Sequence, residues 1–171
     1  MSSKTWLIVG LALLAGIATS LYMRSVTEDE ETEFILPAST ELADLDGNLQ
    51  PLRQWQGKVL LINFWATWCP PCLEEIPLFS SLRKQYAAAG FEVVGVAVDE
   101  ISKVIEFRDA HQVEFPLLNG EQDGMSMMSI FGNAMGGLPY SVLFDRNGTA
   151  VHYKTGSYSR QELQDLIEKY L

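Results

Sequence analysis

The 171-residue chain reads as an α/β protein, a mixed central sheet with helices on both faces behind one amino-terminal apolar helix. Three observations predict this. Two continuous apolar, β-prone runs, KVLLINFWA at 58–66 and FEVVGVAV at 91–98, have the composition of central strands buried on both faces. Segments of helical period alternate with strand segments, the pattern of a layered α/β sheet. A third apolar run at 6–23 is free of charge and is long enough to stand apart from the core.

That third run comes first in the chain. Trp6 to Met23 reads WLIVGLALLAGIATSLYM, 18 residues without a charged side chain. At ~1.5 Å per residue it spans about 27 Å, the hydrocarbon thickness of a bilayer. Trp6 and Tyr22 stand at its two ends, where amphipathic rings prefer the interface. Three readings compete: an uncleaved signal-anchor, a signal peptide cleaved near Ala18-Thr19-Ser20, and a buried helix of a soluble core. The length and the end aromatics favour the anchor, while a lipoprotein signal lacks its cysteine. Lys4 and Arg24 nearly balance, so the positive-inside rule places the amino terminus in the cytoplasm only weakly. The expected division is a cytoplasmic terminus at 1–5, a transmembrane signal-anchor at 6–23, an acidic tether at 24–36 and a domain at 37–171. The anchor puts that domain outside the cytoplasm.

Within the domain, Thr40–Leu45, the turn Asp46-Gly47-Asn48 and Leu49 predict a short hairpin. Lys58–Ala66 is the first central strand. Pro71–Ala89 has helical period, with Gly90 as its C-cap. Phe91–Val98 is the second central strand, Ser102–His111 a helix, Val113–Leu118 a short strand and Gly124–Phe131 a short helix. Pro139–Phe144 and Val151–Thr155 form a hairpin around Asp145-Arg146-Asn147-Gly148. Ser159 and Glu162 have capping-box spacing ahead of a last helix whose apolar face is Leu163, Leu166, Ile167 and Tyr170.

Composition excludes several functions. The formal charge is -10, from 12 Lys and Arg against 22 Asp and Glu, which argues against nucleic acid, since phosphate binding needs a basic footprint. It also argues against an electrostatic grip on anionic lipid. Residues 34–171 still carry 10 basic and 17 acidic side chains, so the acidity belongs to the domain as well as the tether, and it serves solubility. Two cysteines and two histidines, His111 and His152, are too few for a disulfide scaffold or a structural zinc site.

The chemistry lies in Cys69-Pro70-Pro71-Cys72, where a buried strand gives way to a helix. C-x-x-C at a helix start brings two sulfurs close enough to bridge. The helix amino terminus, with its unpaired N–H groups and positive dipole end, lowers a nearby thiol's proton affinity. Pro71 stiffens the first turn without breaking it, because an N–H there would be unpaired anyway. Cys69, nearest the open end, is the expected nucleophile and Cys72 the resolving thiol. Covalent haem attachment would need histidine where Leu73 stands, a peroxiredoxin-type site would need threonine where Ala66 stands, and a zinc knuckle would need a second ligand pair. A plain structural disulfide stays open as an alternative.

The segment Asn63-Phe64-Trp65-Ala66-Thr67-Trp68-Cys69-Pro70-Pro71-Cys72, followed by Glu75 and Pro77, resembles the active-site stretch of the thioredoxin superfamily. It is most similar to the membrane-tethered TlpA/ResA-like disulfide reductases. Gly136-Gly137-Leu138-Pro139-Tyr140-Ser141 resembles that family's second signature, a loop with a cis-proline facing the dithiol. The resemblance extends over about residues 36–171. It implies a thioredoxin fold with an amino-terminal β-hairpin and an insertion around 101–118. It also implies a cis bond before Pro139, a Leu138 backbone offered to an extended substrate peptide, an exposed Trp68 platform beside Cys69, and Trp65 in the core. Pro70 and Pro71 belong to the same substrate-facing surface. The implied activity is reduction of disulfides in protein substrates, with no organic cofactor and no metal. Electrons would come from a membrane thiol donor, with the domain in the periplasm on a single-pass inner-membrane anchor. Apocytochrome c reduction in cytochrome c biogenesis is one task of the family.

Thioredoxins commonly bury an aspartate on the strand before the dithiol, and Asn63 stands at that position here. The helix offers a substitute. At ~100° per residue, with Cys72 at zero, Ile76, Phe79 and Leu82 fall near about +40°, -20° and -80°. Glu75, near about -60°, lies inside this apolar arc, and Glu74 lies on the far side. Glu75 is therefore expected to be partly buried, to hold its proton unusually tightly and to accept the proton of Cys72. Between the cysteines, two prolines add neither charge nor N–H donors, so Cys69 is only moderately acidified and the pair leans towards reductant. Met125, Met127, Met128 and Met135 form a cluster that serves as packing or, in a competing class of function, helps the dithiol hold Cu(I) as a metallochaperone.

Overall fold

The computed structural model describes residues 13, 15–20, 34–37 and 39–171. The chain divides into Met1–Glu33 and Phe34–Leu171. In the first unit, residues 13 and 15–20 are helical and exposed. The transmembrane segment expected at 6–23 falls mostly outside the described residues, as does most of the tether. Among the described residues no helix is long and apolar enough to cross a membrane.

In the second unit, Glu41–Ala43 (β1) and Leu49–Pro51 (β2) pair antiparallel. The Asp44 carboxylate closes their turn by accepting from the amides of Asp46 and Asn48 at 3.0 and 2.9 Å. Gly47 sits at φ 87°, a left-handed conformation that a side chain would strain. A 3₁₀ turn, Leu52–Trp55, then seats Leu52 and Trp55 in the core.

Val59–Trp65 (β3) and Phe91–Ala97 (β4) are buried along their whole length, as continuous apolar runs require. Between them runs Pro70–Tyr86 (α1), one residue earlier at its start than the sequence predicts, ended by a tight turn at Ala87–Ala89 and a left-handed Gly90. Ile101–His111 (α2) follows β4. The strand expected from Val113 is corrected to Leu117–Asn119 (β5). Pro116 has no N–H to give a ladder, although its carbonyl still accepts from the Gly95 amide at 2.9 Å, so regular pairing starts one residue later. Gly124–Ile130 (α3), Tyr140–Phe144 (β6), Ala150–Thr155 (β7) and Arg160–Tyr170 (α4) complete the chain.

The five-stranded sheet has the order β5-β4-β3-β6-β7. Strands β3, β4 and β5 run parallel, and β6 and β7 close the sheet antiparallel. Strand alternation sorts the core into two layers. Val59, Leu61 and Trp65 face the same side as Phe79, Leu82, Leu163 and Ile167 of α1 and α4. Leu60, Ile62 and Phe64 face Leu52, Met128 and Phe131 on the other side. The parallel strands all end at one edge of the sheet, where the loops after β3, β4 and β5 meet the loop before β6.

Helix α4 starts with a complete capping box. The Glu162 amide donates to Ser159 Oγ at 3.2 Å, and Glu162 Oε2 accepts from the Ser159 amide at 3.4 Å. Replacing Ser159 with Ala leaves one of the helix's first amides without its acceptor. Unfolding in urea should then require about 1 kcal/mol less free energy, with an unchanged slope against denaturant.

Candidate active site

At the end of β3 the chain leaves the sheet through Ala66–Trp68, and Cys69 becomes the N-cap of α1. Pro70 and Pro71 occupy the first turn, where a missing N–H breaks no helical bond. Cys69 and Cys72 are joined by a disulfide, their Cα atoms 5.3 Å apart. The carbonyl of Cys69 accepts from the amides of Cys72 and Leu73 at 3.0 and 3.3 Å. Cys72 is wholly buried and Cys69 nearly so, which leaves Cys69 as the sulfur closer to solvent. Beside them Trp68 is 65% exposed, whereas Trp65 is buried.

The loop before the dithiol is held by Asp99, a residue that sequence reasoning missed. Its carboxylate accepts from the Thr67 amide at 2.9 Å and from the Thr67 hydroxyl. Burial pushes the Asp99 carboxyl up, but the hydrogen bonds from Thr67 outweigh it and leave the group below its ordinary value. An acid directly after a buried parallel strand was the available signal, because such strands deliver their next residue to the loop-bearing edge.

The loop before β6 lies at the same edge. Its Leu138–Pro139 peptide bond is cis, and the Pro139 carbonyl accepts from the Gly156 amide at 2.8 Å. Asn133, buried and also missed from sequence, donates to the Gly137 carbonyl at 2.8 Å. Between these two anchors, the N–H and C=O of Leu138 bond to none of the described residues.

Beneath the disulfide sits Glu75, only 3% exposed. The Asn63 side-chain amide donates to its Oε1 at 3.0 Å, and the Tyr158 backbone amide donates to its Oε2 at 3.2 Å. Asn63 Nδ2 gives its other hydrogen to Ser141 Oγ at 2.9 Å. Burial is the dominant influence on Glu75 and raises its pKa from an ordinary 4.5 to about 7. The Tyr158 amide, the Asn63 amide and the charge of Lys154 pull it partly back. Glu74 is exposed. Tyr158 carried no sequence signal, since its approach to Glu75 depends on how β7 and α4 are arranged, and the bond of Ser141 to Asn63 depends likewise on the register of β6.

The methionine cluster divides. Met127 and Met128 are buried core residues, whereas Met125 and Met135 are exposed. Among the described residues, no group of three or more His, Cys, Asp or Glu side chains is placed to hold a metal ion.

The redoxin family model matches residues 30–167. The chain belongs to the redoxin family. It is a TlpA/ResA-like member of the thioredoxin superfamily and a thiol-disulfide oxidoreductase, with Cys69 and Cys72 as its C-x-x-C pair. Thiol-disulfide oxidoreductase ResA of Geobacillus thermodenitrificans (strain NG80-2) is 30% identical over 165 residues, spanning 94% of this chain and 91% of the relative. ResA of Geobacillus kaustophilus (strain HTA426) is 30% identical over 162 residues, spanning 92% and 90%. Among solved structures, MTB dsbF superposes with a TM-score of 0.68 at 27% identity, covering 80% of this chain and 99% of that one. A thioredoxin family thiol:disulfide interchange protein from Chlorobium tepidum TLS reaches a TM-score of 0.72 at 24% identity, covering 81% and 96%, a likeness of fold. This redoxin thus shares its fold with proteins named for disulfide exchange.

Burial of Glu75 has a consequence for stability. Because the folded carboxyl binds its proton more tightly than the unfolded one, the folded state holds more protons between pH 4.5 and about 7. Stability contributed by this group therefore falls as pH rises through that window. The gap corresponds to roughly 3 kcal/mol at its upper limit. Urea unfolding of oxidised wild type and Glu75→Gln across pH 4–9 should show the variant gaining on the wild type through this window, then levelling. A parallel pair of curves would contradict it.

Proposed function

We propose that this oxidoreductase is an exported, membrane-anchored reductant of protein disulfides, with Cys69 as nucleophile, Cys72 as resolving thiol and Glu75 as proton acceptor. The observation that carries the reading is the Cys69–Cys72 disulfide at the start of α1, with the Glu75 carboxyl buried one helical turn beyond Cys72. Reduced Cys69, as thiolate at the helix start, attacks one sulfur of a substrate disulfide. A mixed disulfide forms, and the other substrate sulfur leaves as a thiolate that takes up a proton. Cys72 passes its proton to Glu75 and attacks Cys69. The second substrate sulfur leaves as a thiolate and takes up a proton, so that the substrate is released as a dithiol and the enzyme is left with the disulfide seen in the structure. Two electrons have moved to the substrate, and they are restored by a membrane thiol donor.

Other features support the finer parts of this reading. The free backbone groups of Leu138 suit a short strand-like pairing with an extended substrate peptide, with exposed Trp68 and Pro70–Pro71 as its flank. The prolines between the sulfurs bring no charge or N–H to stabilise a thiolate, which favours a reducing pair. The apolar run at 6–23, flanked by Trp6 and Tyr22, supports an inner-membrane anchor with the domain in the periplasm. Apocytochrome c before haem attachment is the substrate that the TlpA/ResA likeness favours. The Cu(I)-holding alternative gains nothing from the methionines, two of which are packed in the core.

Cys72→Ser should stall the reaction at the mixed disulfide, so that a partner stays bound through Cys69 and is released by dithiothreitol. Cys69→Ala should trap nothing. An empty Cys72→Ser trap in cells would remove the reductase reading. A measured potential near that of strong periplasmic oxidants, about -120 mV, would reverse the assigned direction.

In reduced protein, Glu75→Gln should shift the pH midpoint of alkylation at Cys72 by iodoacetamide. An unmoved midpoint would leave Glu75 without a role in proton transfer.

A further inference from the structure

Pairing across the sheet places one row of residues beneath the dithiol. Gly95 lies opposite Asn63, Asn63 opposite Ser141, and Ser141 opposite Lys154. Residues directly opposite in neighbouring strands point to the same face, and here that face looks towards α1 and α4. Gly95 leaves the first position without a side chain, and its space is filled by Leu117, Phe115 and Trp65. Asn63 and Ser141 form the hydrogen-bonded pair under Glu75. The row ends in Lys154, two strand spacings, about 10 Å, from Asn63.

Lys154 is tied down at this place. Its Nζ reaches Glu162 Oε1 at 2.6 Å and lies 5.1 Å from the centre of the Tyr158 ring. The backbone amide of that same Tyr158 donates to Glu75. One residue thus joins the two charges: its ring carries the ammonium and its amide carries the carboxylate. The other titratable and charged groups around Glu75 are Cys72 on α1, the Tyr158 hydroxyl, His152 on β7 against the Tyr158 ring, and Glu162 on α4. Asn63 and Ser141 are neutral. Among the described residues, Lys154 is therefore the ammonium that bears on Glu75, and Glu162 is the acid that restrains it.

We propose that Lys154 and Glu162 are positioning residues whose opposed charges set the pH at which Glu75 releases its proton, coupling the cap of α4 to the redox site. The inference rests on the reading of Glu75 as the proton acceptor and adds to it what governs that group. The cation of Lys154 favours the Glu75 carboxylate. Glu162 disfavours it by neutralising Lys154. Removing either charge should therefore move Glu75 in opposite directions, which a purely structural contact would not do.

The test uses the oxidised full-length chain in detergent micelles, labelled with ¹³C at the glutamate carboxyls. The Glu75 signal is assigned by its loss in Glu75→Gln. Lys154→Met should raise the pH midpoint of the Glu75 signal, and Lys154→Arg, which keeps the charge, should leave it in place. Glu162→Gln keeps the capping box, because glutamine serves at that position, and should lower the midpoint. Opposite shifts support the proposal. Shifts in the same direction, or none in either variant, overturn it while leaving the alkylation result for Glu75 standing. No Glu75 titration between pH 4 and 9 would overturn this proposal and the proton-acceptor role together.

Discussion

A single polar cluster in an apolar layer, the Asn63 amide forked between Glu75 and Ser141, governs how the redox end of this protein is built. Strand β3 is buried along all seven of its residues, so the Asn63 amide can find partners only inside. Asn63 does so by spending both hydrogens of its amide, one on the helix above and one on the neighbouring strand. That pairing seats α1 over the centre of the sheet with Cys72 inside. The Tyr158 amide closes the cluster from the β7–α4 loop, so four parts of the chain meet in one hydrogen-bonded cluster.

The same cluster explains how a carboxyl can be both buried and useful. An unpaired carboxylate in this layer would be strongly destabilising. Two donated hydrogen bonds and a cation at the end of the row keep it ionisable, with burial still the larger influence. The result is a group that changes its protonation near neutral pH, where a thiol at a helix start must lose its proton to react. A fully solvated glutamate would be ionised but too weak a base to take a thiol's proton near neutral pH. An aspartate on the strand, in place of Asn63, would set a second negative charge beside Glu75.

Much of the architecture was legible in the sequence, because burial on both faces leaves a continuous apolar signature and because turns here use residues with fixed backbone demands. The hairpin around Gly47, both central strands, the helix after the dithiol and the capping box at Ser159 all follow from such local rules. The fifth strand did not. Val113–Leu118 is apolar enough for a strand, yet Pro116 withholds an N–H and shifts the ladder to Leu117–Asn119. The helical arc that contains Ile76, Phe79 and Leu82 also contains Glu75, so its place on the inner face could be read from spacing alone. Asp99 and Asn133, which hold the loops on either side of the dithiol, were passed over because a lone polar residue beside a strand or a short helix has no distinguishing local pattern.

Taken alone, the sequence determined the elements, the C-x-x-C pair at a helix start and the glutamate on the buried face of that helix. These depend on period, spacing and backbone chemistry, all of which are written within about twenty consecutive residues. Tertiary structure decided which distant groups meet that glutamate. Tyr158 reaches it through the turn into α4, 83 positions away, while strand register brings Ser141 to its partner Asn63 and Lys154 to the end of the same row. No local rule encodes such meetings, because register and strand order are set by the packing of the whole sheet.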